Sequence, residues 1–205
     1  GGYIDALGYP SCRGRIFATR EPDTGQYDNS TEIFWASGAA LFIKKAYWNK
    51  VGGFDADFFV HMEEIDLCWR LKNLGYKIMY CPSSTVYHVG GGTLQSENAL
   101  KTYLNFKNNL VMLLKNLSGF KAFYILFLRF WLDFISLLKF LLDGKYAHAR
   151  AINKAHVAFF KEFFRNRRKK QHAAEGQFNA AGLYAGSIVW DYFVKKKRYF
   201  SDLRR

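Results

Sequence analysis

The sequence predicts a mixed α/β chain whose second half is helical, and three observations support this prediction. Through about residue 97, short apolar stretches with aromatic and β-branched residues alternate with stretches of helical spacing. From Asn98 onward, apolar segments of helix length follow one another, with breaks at Gly119 and Gly144. Residues 1–97 hold 9 Lys and Arg against 11 Asp and Glu, whereas residues 98–205 hold 21 against 6. We therefore predict two parts, 1–97 and 98–205, the second facing an anionic partner.

The first part is predicted to alternate strands and helices. Residues 32–44, EIFWASGAALFIK, form an apolar stretch that predicts a buried strand. A short helix follows and is expected to end at Gly52-Gly53, and a second helix, begun by an acidic cluster, is expected to end at Gly75. Two further strands are predicted in the sequences YKIMYCP and TVYHVGGG, on either side of Pro82.

Three helices are predicted in the second part, at residues 100–117, 122–143 and 146–164. On the middle helix, polar residues spaced by 4, 3, 3 and 4 form a narrow stripe on an otherwise apolar surface: Arg129, Asp133, Ser136, Lys139 and Asp143. This pattern fits a helix lying in a membrane interface, and equally one packed in a bundle. Basic runs at 165–170 and 195–198 favour an anionic membrane surface. Neither run accompanies a recognition helix or an RNP-type aromatic sheet, so nucleic acid is not an expected partner.

Cysteine usage predicts a reducing, cytoplasmic environment. The three cysteines are far apart in the sequence and form no CxxC pair, which argues against a disulfide framework or a zinc site. The first residues, Gly1-Gly2-Tyr3, begin neither a charged n-region nor an apolar h-region, so no signal peptide is expected. Because the chain lacks an initiator Met, we expect it to begin inside a longer protein.

The sequence FFVHMEEIDLCWR, residues 58–70, places Glu63, Glu64 and Asp66 at the start of a helical pattern. These acidic residues have a simple explanation, because carboxylates interact favourably with the positive end of a helix dipole. Asp66 and Arg70 stand four apart, a spacing that permits a surface ion pair. The spacing alone does not show which role the cluster has, so the neighbouring motifs are needed as evidence.

Five motifs follow one another around this cluster: a W-x-S/T-G-A strand at Trp35, a V-G-G-F-D turn at Val51, an E-D/E-x-D-L-C-x-R helix start at Glu63, a G-Y strand at Gly75 and a V-x-H-x-G-G close at Val86. In this order they resemble the C-terminal half of the catalytic domain of family 2 glycosyltransferases, especially its rhamnosyltransferase-like members. The resemblance extends over residues 1–117, and the ending SIVWDYFVKKKRYFSDL is similar to tails of bacterial members.

The resemblance implies a partial GT-A fold. Residues 1–97 would be the acceptor-side half of the catalytic domain, and residues 98–205 a basic, helical, membrane-associating region. The nucleotide-binding half of the family, with its Asp-x-Asp element, would precede this region. Asp55-Ala56-Asp57 has that spelling but lies in the V-G-G-F-D turn, where the metal motif of the family does not lie. We therefore expect the chain to lack its donor site and to be inactive alone.

The resemblance also assigns roles to the acidic cluster. In an inverting glycosyltransferase, a carboxylate takes the proton of the acceptor hydroxyl that attacks the nucleotide-activated sugar. The second acidic residue of the motif supplies this base, which indicates Glu64, with Glu63 or Asp66 as alternatives. Glu-Glu replaces the commoner Glu-Asp pair here, which lengthens the reach by one methylene. Asp66 is otherwise expected to be structural or to position the acceptor.

His88 is implied as a ligand of Mg²⁺ or Mn²⁺ that bridges the donor diphosphate and stabilises the leaving nucleotide. A structural histidine with satisfied hydrogen bonds is the alternative. Gly90-Gly91-Gly92, which has no GxGxxG or P-loop context, is expected to form a turn that permits close approach to phosphate.

Six residues complete the candidate substrate site: Trp35, Ser37, Gly38, Arg13, Arg15 and Arg70. The resemblance places the first three in the acceptor pocket, where an aromatic face stacks on sugar. Packing of Trp35 in the core is the alternative. The two arginines of the YPSCRGRIF segment are candidates for bidentate contacts with diphosphate oxygens, although loop arginines are commonly just solvated.

These features together predict an inverting bacterial glycosyltransferase. It would transfer rhamnose or another hexose from a nucleotide-sugar donor to a cell-surface polysaccharide or a lipid-linked glycan. We expect it in the cytoplasm, bound peripherally to the inner face of the cell membrane. The alternative is a non-catalytic peripheral membrane or scaffold module that retains part of the fold.

Overall fold

The structure is a computed structural model and describes residues 1–88, 98–170 and 177–203. Its contacts divide the chain into two compact units. The first unit contains Gly1–Gly53, Leu67–Tyr87 and Ala173–Arg205, and the second contains Phe54–Asp66 and His88–His172. This division differs from a boundary after residue 97, because the C-terminal segment joins the first unit.

The strands all lie in the first unit: β1 (Gly2–Asp5), β2 (Pro10–Cys12), β3 (Arg15–Ile16), β4 (Thr19–Arg20), β5 (Thr31–Ile33), β6 (Ile78–Tyr80) and β7 (Leu183–Tyr184). The larger sheet has the order β4-β3-β2-β1-β7, and β5 pairs with β6 in a smaller one. Neighbouring strands are antiparallel, except that β7 runs parallel to β1. Strands β1 to β4 and β7 were not predicted, since segments of two to four residues carry too little pattern to identify a strand.

The strand predicted at residues 32–44 is wrong beyond its first residues. Strand β5 ends at Ile33, and Trp35 adds a single bridge to Gly2. Ser37 then caps a 3-10 turn, accepting a hydrogen bond from the backbone N–H of Ala39. The small residues of this turn offer no side chain for the core, and Phe42 after it is 90% exposed.

Residues 85–88 do not form the strand predicted for TVYHVGGG, and the rest of that sequence lies outside the described residues.

The helices agree better with the sequence: α1 (Lys45–Val51), α2 (Glu63–Asn73), α3 (Ala99–Asn116), α4 (Gly119–Leu142), α5 (Tyr146–Lys161), α6 (Phe163–Arg168) and α7 (Ile188–Phe193). Helix α1 ends as predicted at Gly52, whose φ of 78° is the left-handed conformation that glycine tolerates. Helix α2 begins in the second unit and ends in the first, before Gly75. The core of the first unit gathers Ile16, Tyr27, Ile188, Phe200 and Leu203.

Helices α3, α4, α5 and α6 build the second unit, with α3 packing against the other three. Asn98 caps α3 by accepting a hydrogen bond of 2.8 Å from the backbone N–H of Leu100. Leu110, Met112, Leu113 and Ile152 are fully buried between these helices. This core fixes the face that α3 presents to the start of α2.

The polar stripe of α4 points partly into the bundle. Arg129 and Asp133 are 2% and 0% exposed. Arg129 donates to the side-chain oxygen of Asn109 at 2.6 Å, and His156 lies 3.1 Å from the Asp133 carboxylate. Arg129 and Asp133 therefore agree with the alternative of a helix packed in a bundle. Lys139 and Asp143, at the other end of the stripe, form an exposed pair. None of the described helices is both long and apolar enough to cross a membrane.

Candidate active site

A strained loop precedes the acidic cluster. Phe59, His61 and Met62 have φ values of 59°, 69° and 73°, which are uncommon for residues other than glycine. Each such conformation costs about 1–3 kcal/mol and persists only where surrounding contacts enforce it. Strain of this kind is concentrated at functional sites, so the loop in front of Glu63 is a candidate active-site element.

Asn108 of α3 supplies the contacts that hold this loop. Its buried side-chain amide nitrogen donates to the backbone carbonyls of Phe58, Val60 and His61 at 2.8, 3.0 and 2.9 Å. One side chain thus binds three backbone carbonyls of the strained segment. Glu63 follows directly, so Asn108 determines where α2 begins and how its first residues are presented.

Glu64 has the most strongly perturbed carboxyl group of the cluster. Burial raises its pKa, the negative charge of Glu63 raises it further, and the pKa reaches about 7. Burial also raises the pKa of Glu63. Within the described part of the chain, Oε2 of each glutamate is buried and accepts no hydrogen bond. A carboxyl group with a pKa near neutrality and an unpaired buried oxygen is suited to accept and release a proton.

Asp66 has a different environment from the two glutamates. Its side chain is fully buried and contacts Lys115 at 2.9 Å and the side-chain amide of Asn116 at 2.9 Å. Lys115 also contacts Asp55 at 2.8 Å. These contacts join α2 to the last turn of α3, and they favour the structural alternative for Asp66. The pairing with Arg70 suggested by their spacing would not be at the surface, since Arg70 is 4% exposed.

The Asp55-Ala56-Asp57 segment has a structural environment. Asp55 accepts a hydrogen bond from the backbone N–H of Asp57, and Lys169 contacts both carboxylates at 2.7 Å. Burial raises the pKa of Asp55, but the hydrogen bonds from Lys115 and Lys169 outweigh it and hold that pKa well below its usual range. Lysines therefore occupy the positions around these carboxylates that a metal ion would need.

We expect Asn108→Ala to lower the pKa of Glu64 from about 7 toward the ordinary value of 4.5, because release of the loop exposes that carboxyl to water. The same change removes three hydrogen bonds and destabilises the protein by about 1–3 kcal/mol. Carbon-13 NMR titration of labelled glutamate side chains measures the pKa, and urea unfolding measures stability.

Asn109→Ala is the matched control for this change. Asn109 is the next residue of α3, it is also buried, and its side-chain oxygen accepts a hydrogen bond from Arg129 of α4. Its loss is expected to destabilise the bundle without altering the titration of Glu64. Equal pKa shifts in the two variants would show that Asn108 has no specific effect on the acidic cluster.

His88 is exposed and is the last described residue before a gap. Among the described residues, no three His, Cys, Asp or Glu side chains are grouped so as to hold a metal ion. The predicted glycine turn at 90–92 lies outside the described residues. The metal role of His88 accordingly stays a prediction.

Trp35, Ser37 and Gly38 lie in the first unit. The Trp35 indole is buried, donates to the carbonyl of Tyr3 at 2.8 Å and packs against Gly2, where a Cβ would come within 2.2 Å of the ring. This environment agrees with core packing of the ring. Ser37 and Gly38 are exposed on the 3-10 turn, with open space where a side chain on Gly38 would lie. Their contact with an acceptor stays a prediction.

The three candidate arginines also lie in the first unit. Arg13 donates to the carbonyls of Tyr27 and Asn29 and lies over the Tyr27 ring. Arg70 donates to the carbonyls of Val51 and Gly53, which closes the end of α1. Arg15 is exposed, and its guanidinium approaches the Cys12 sulfur at 3.7 Å. Arg13 and Arg70 thus have backbone partners, and substrate contacts by all three stay predictions.

The structure brings together Glu63, Glu64 and Asp66 on one helix start. Sequence reasoning missed the residues of α3 that support them, Asn108, Lys115 and Asn116. A signal was present, because Asn108 and Lys115 are seven apart and therefore share one face of the helix. Buried polar side chains require hydrogen-bond partners, and the partners of these residues lie in residues 55–66, which contain the acidic cluster.

A helix start with two half-buried glutamates, one of them titrating near neutrality, defines a candidate site for acid–base catalysis. Comparison with known proteins specifies the class further, since the chain is similar to bacterial rhamnosyltransferases. It is 31% identical over 87 residues to N-acetylglucosaminyl-diphospho-decaprenol L-rhamnosyltransferase of Mycobacterium tuberculosis, in strains CDC 1551 and H37Rv. It is 32% identical over 73 residues to rhamnosyltransferase WbbL of Escherichia coli K12. The resemblance to rhamnosyltransferases predicted from the sequence is confirmed.

These matches cover only part of each protein. The mycobacterial match takes in 42% of this chain and 28% of the relative, and the match to WbbL takes in 36% and 27%. The chain therefore aligns with little more than a quarter of the length of these relatives. No protein-family model and no solved structure matches the chain.

Proposed function

We propose that the chain is the acceptor-side part of an inverting GT-A type glycosyltransferase. It transfers rhamnose or another hexose from a nucleotide-sugar donor to a lipid-linked glycan or a growing cell-surface polysaccharide. The observation that carries this proposal is the raised pKa of Glu64 at the strained, clamped start of α2. The similarity to rhamnosyltransferases, one of which is named for a diphospho-decaprenol substrate, supports the choice of reaction and acceptor.

Glu64 is the general base of the proposed mechanism. Its carboxylate accepts the proton of the acceptor hydroxyl as that oxygen attacks the anomeric carbon of the donor sugar. The bond from the anomeric carbon to the nucleotide diphosphate then breaks with inversion, and the diphosphate leaves with the bonding electrons. A base is most effective when its pKa lies near the working pH, and burial beside Glu63 brings Glu64 to about 7.

Asp66 and Asn108 position the base without contacting the substrate. Asp66 fixes the first turn of α2 to Lys115, and Asn108 holds the preceding loop. These contacts hold Glu63 and Glu64 in one position and keep the first turn of α2 from shifting along the chain. The rigidity lets Glu64 remain partly dehydrated, which is what raises its pKa.

The described residues do not by themselves form a site for a divalent metal. Asp55 and Asp57 contact lysines, and His88 has no cluster of acidic neighbours among the described residues. We propose that His88 contributes one ligand to a bound Mg²⁺ or Mn²⁺ ion. A nucleotide-binding half carrying the Asp-x-Asp element is proposed to supply the donor site.

Peripheral binding to the cytoplasmic face of the membrane is the second part of the proposal. With Arg129 and Asp133 turned into the bundle, the opposite face of α4 is apolar and exposed, and its members recur at helical spacing: Phe120, Phe123, Tyr124, Phe127, Trp131, Phe134, Ile135, Leu138 and Leu142. We call these nine residues the α4 face. An exposed apolar surface of this extent marks an interaction site, and aromatic rings are typical of membrane interfaces.

The basic run at 165–170 contributes less to membrane binding than the sequence suggested. Arg165 contacts Asp57 and Glu162, and Lys169 contacts Asp55 and Asp57. Two of its cations thus stabilise the second unit itself. The apolar α4 face therefore supports membrane binding more strongly than this run does.

We expect Trp131→Glu to reduce binding to vesicles that contain phosphatidylglycerol at least about tenfold, because it puts a charge in the middle of the α4 face. Phe42→Glu makes a similar change at a residue that is 90% exposed in the first unit, and it should leave binding unchanged. Vesicle co-sedimentation measures both variants. Equal binding by Trp131→Glu and the parent protein would remove the α4 face from the proposal.

The α4 face is equally compatible with the alternative of a non-catalytic membrane or scaffold module. An activity assay separates the two functions. The full-length gene product that contains this chain is incubated with UDP-, GDP- and dTDP-sugars, a polyprenyl-diphosphate glycan, and Mg²⁺ or Mn²⁺. Extension of the glycan by one sugar, detected by mass spectrometry, supports the glycosyltransferase. Membrane binding without transfer from any donor supports the module instead.

A further inference from the structure

A groove runs between the first turn of α3 and one face of α5. Its volume is about 680 Å³, and its lining includes Leu100 and Tyr103 from α3 and Val157 from α5. All of these residues belong to the second unit. The groove lies outside the acidic cluster, and the mechanism proposed above makes no use of it.

Three cations of α5 line the groove: Arg150, Lys154 and Lys161. They are spaced by 4 and 7 residues, which places them on one face of the helix. Each is exposed, and within the described ranges no carboxylate forms an ion pair with any of them. Like charges on one helix face repel each other, so a bound anion would stabilise the arrangement.

The rest of the lining is mostly apolar. Leu100 and Val157 are 46% and 47% exposed, and small alanines of both helices make up much of the remaining surface. Neither a free phosphate nor a sugar nucleotide needs such a surface. A molecule that joins a phosphate group to a hydrocarbon chain matches both the cations and the apolar lining.

The first turn of α3, which borders the groove, also lies near the strained loop. Burial lowers the pKa of His61, and the positive charge of Lys101 lowers it further, so the first turn of α3 is near the strained loop. Tyr103 in the groove and Asn108 at the loop are five residues apart on α3, about 7.5 Å along the helix axis. The helix that lines the groove is thus also the helix that holds the loop before Glu64.

We propose that this groove binds the lipid diphosphate portion of the acceptor. Arg150, Lys154 and Lys161 contact the diphosphate, and the apolar lining contacts the first part of the hydrocarbon chain. The assignment of this ligand as the acceptor rests on the proposed function. Binding itself depends only on the groove.

Farnesyl diphosphate is a suitable probe, because it combines a diphosphate with a short isoprenoid chain. We expect the 205-residue chain to bind it, and the double variant Arg150→Gln/Lys154→Gln to bind it at least about tenfold more weakly. Inorganic pyrophosphate should bind at least about tenfold more weakly than farnesyl diphosphate to the parent chain. Isothermal titration calorimetry measures all three affinities.

Arg167→Gln/Arg168→Gln is the matched control, since it removes two exposed positive charges of α6 outside the groove. It should retain the affinity of the parent chain. Equal affinity in the groove variant would overturn the proposal, and equal affinity for pyrophosphate would show a site for free phosphate instead. The calorimetry measures binding and not sugar transfer, so the groove and the proposed function are tested separately. If the groove variant loses binding but the full-length gene product uses none of the UDP-, GDP- and dTDP-sugars, only the proposed function is refuted. Unchanged binding in that variant together with observed transfer would refute only the groove.

Discussion

Glu64→Gln is expected to reduce sugar transfer by the full-length gene product about 10²–10⁴-fold at pH 8, the contribution typical of a general base. The amide has nearly the same shape as the carboxyl group but does not accept a proton at this pH. Affinity for the nucleotide-sugar donor should be unchanged, since Glu64 acts on the acceptor hydroxyl. Product formation under saturating donor measures transfer, and calorimetry measures donor binding.

Glu63→Gln is the control for this prediction. It keeps the base and removes the neighbouring charge that raises the pKa of Glu64, so transfer should stay within about tenfold of the parent. If Glu63→Gln abolishes transfer and Glu64→Gln does not, the base is Glu63. If both variants are fully active, the cluster is only a helix start.

Stability distinguishes loss of chemistry from loss of fold. The folded-state pKa of Glu64 lies near 7 and its ordinary value is 4.5, so between these values the folded state holds a proton that the unfolded state has released. Stability therefore falls as pH rises through this window, and the penalty is complete above it. Glu64→Gln avoids the penalty and should raise the Tm at pH 8, while the difference should vanish below pH 4.5.

Lys115→Met is expected to have the largest effect on stability, a loss of about 3–5 kcal/mol. The change removes the lysine that contacts the fully buried carboxylate of Asp66 and also contacts Asp55. A methionine fills a similar volume, so the loss reports the uncompensated charge rather than a cavity. Urea unfolding at pH 7 measures it.

Lys139→Met provides the comparison on an exposed surface. Lys139 also pairs with an aspartate, Asp143, but its side chain is 67% exposed, and the expected loss is below about 1 kcal/mol. Similar losses in the two variants would mean that the buried contacts of Lys115 do not stabilise the second unit specifically.

The elements that sequence predicts well are those determined by near neighbours. Helix α1 has a glycine stop, and α2 combines an acidic first turn with apolar residues at helical spacing. The helices of the second unit are long, so their periodicity is clear even though α4 begins three residues before the predicted start at 122. Local signals suffice in each case.

The elements that sequence misjudges depend on distant partners. Residues 32–44 are mostly apolar, yet only their first residues pair with a strand, β6, and Trp35 adds one bridge to Gly2. Likewise, the sequence of α4 does not indicate whether its polar stripe faces the bundle or the solvent. The partners of Arg129 and Asp133 lie on other helices, α3 and α5. Burial of charged residues follows from the availability of partners, which a pattern along one helix does not reveal.

The candidate site divides in the same way. Glu63 and Glu64 were predicted because they belong to a compact sequence motif. Asn108 and Lys115 were missed because their partners are 47 to 60 residues away in the chain. Their seven-residue spacing shows that the two polar side chains share one face of α3, but it does not identify what they bind.

The pH dependence of kcat/KM for sugar transfer shows whether Glu64 is the catalytic base. If Glu64 is the base, the rate of the parent protein rises with pH through an apparent pKa of about 7 and is constant above it. In Glu63→Gln the inflection moves to lower pH, because the neighbouring negative charge is gone. A profile with no inflection between pH 5.5 and 8, or one unchanged by Glu63→Gln, would contradict the assignment of Glu64 as the catalytic base.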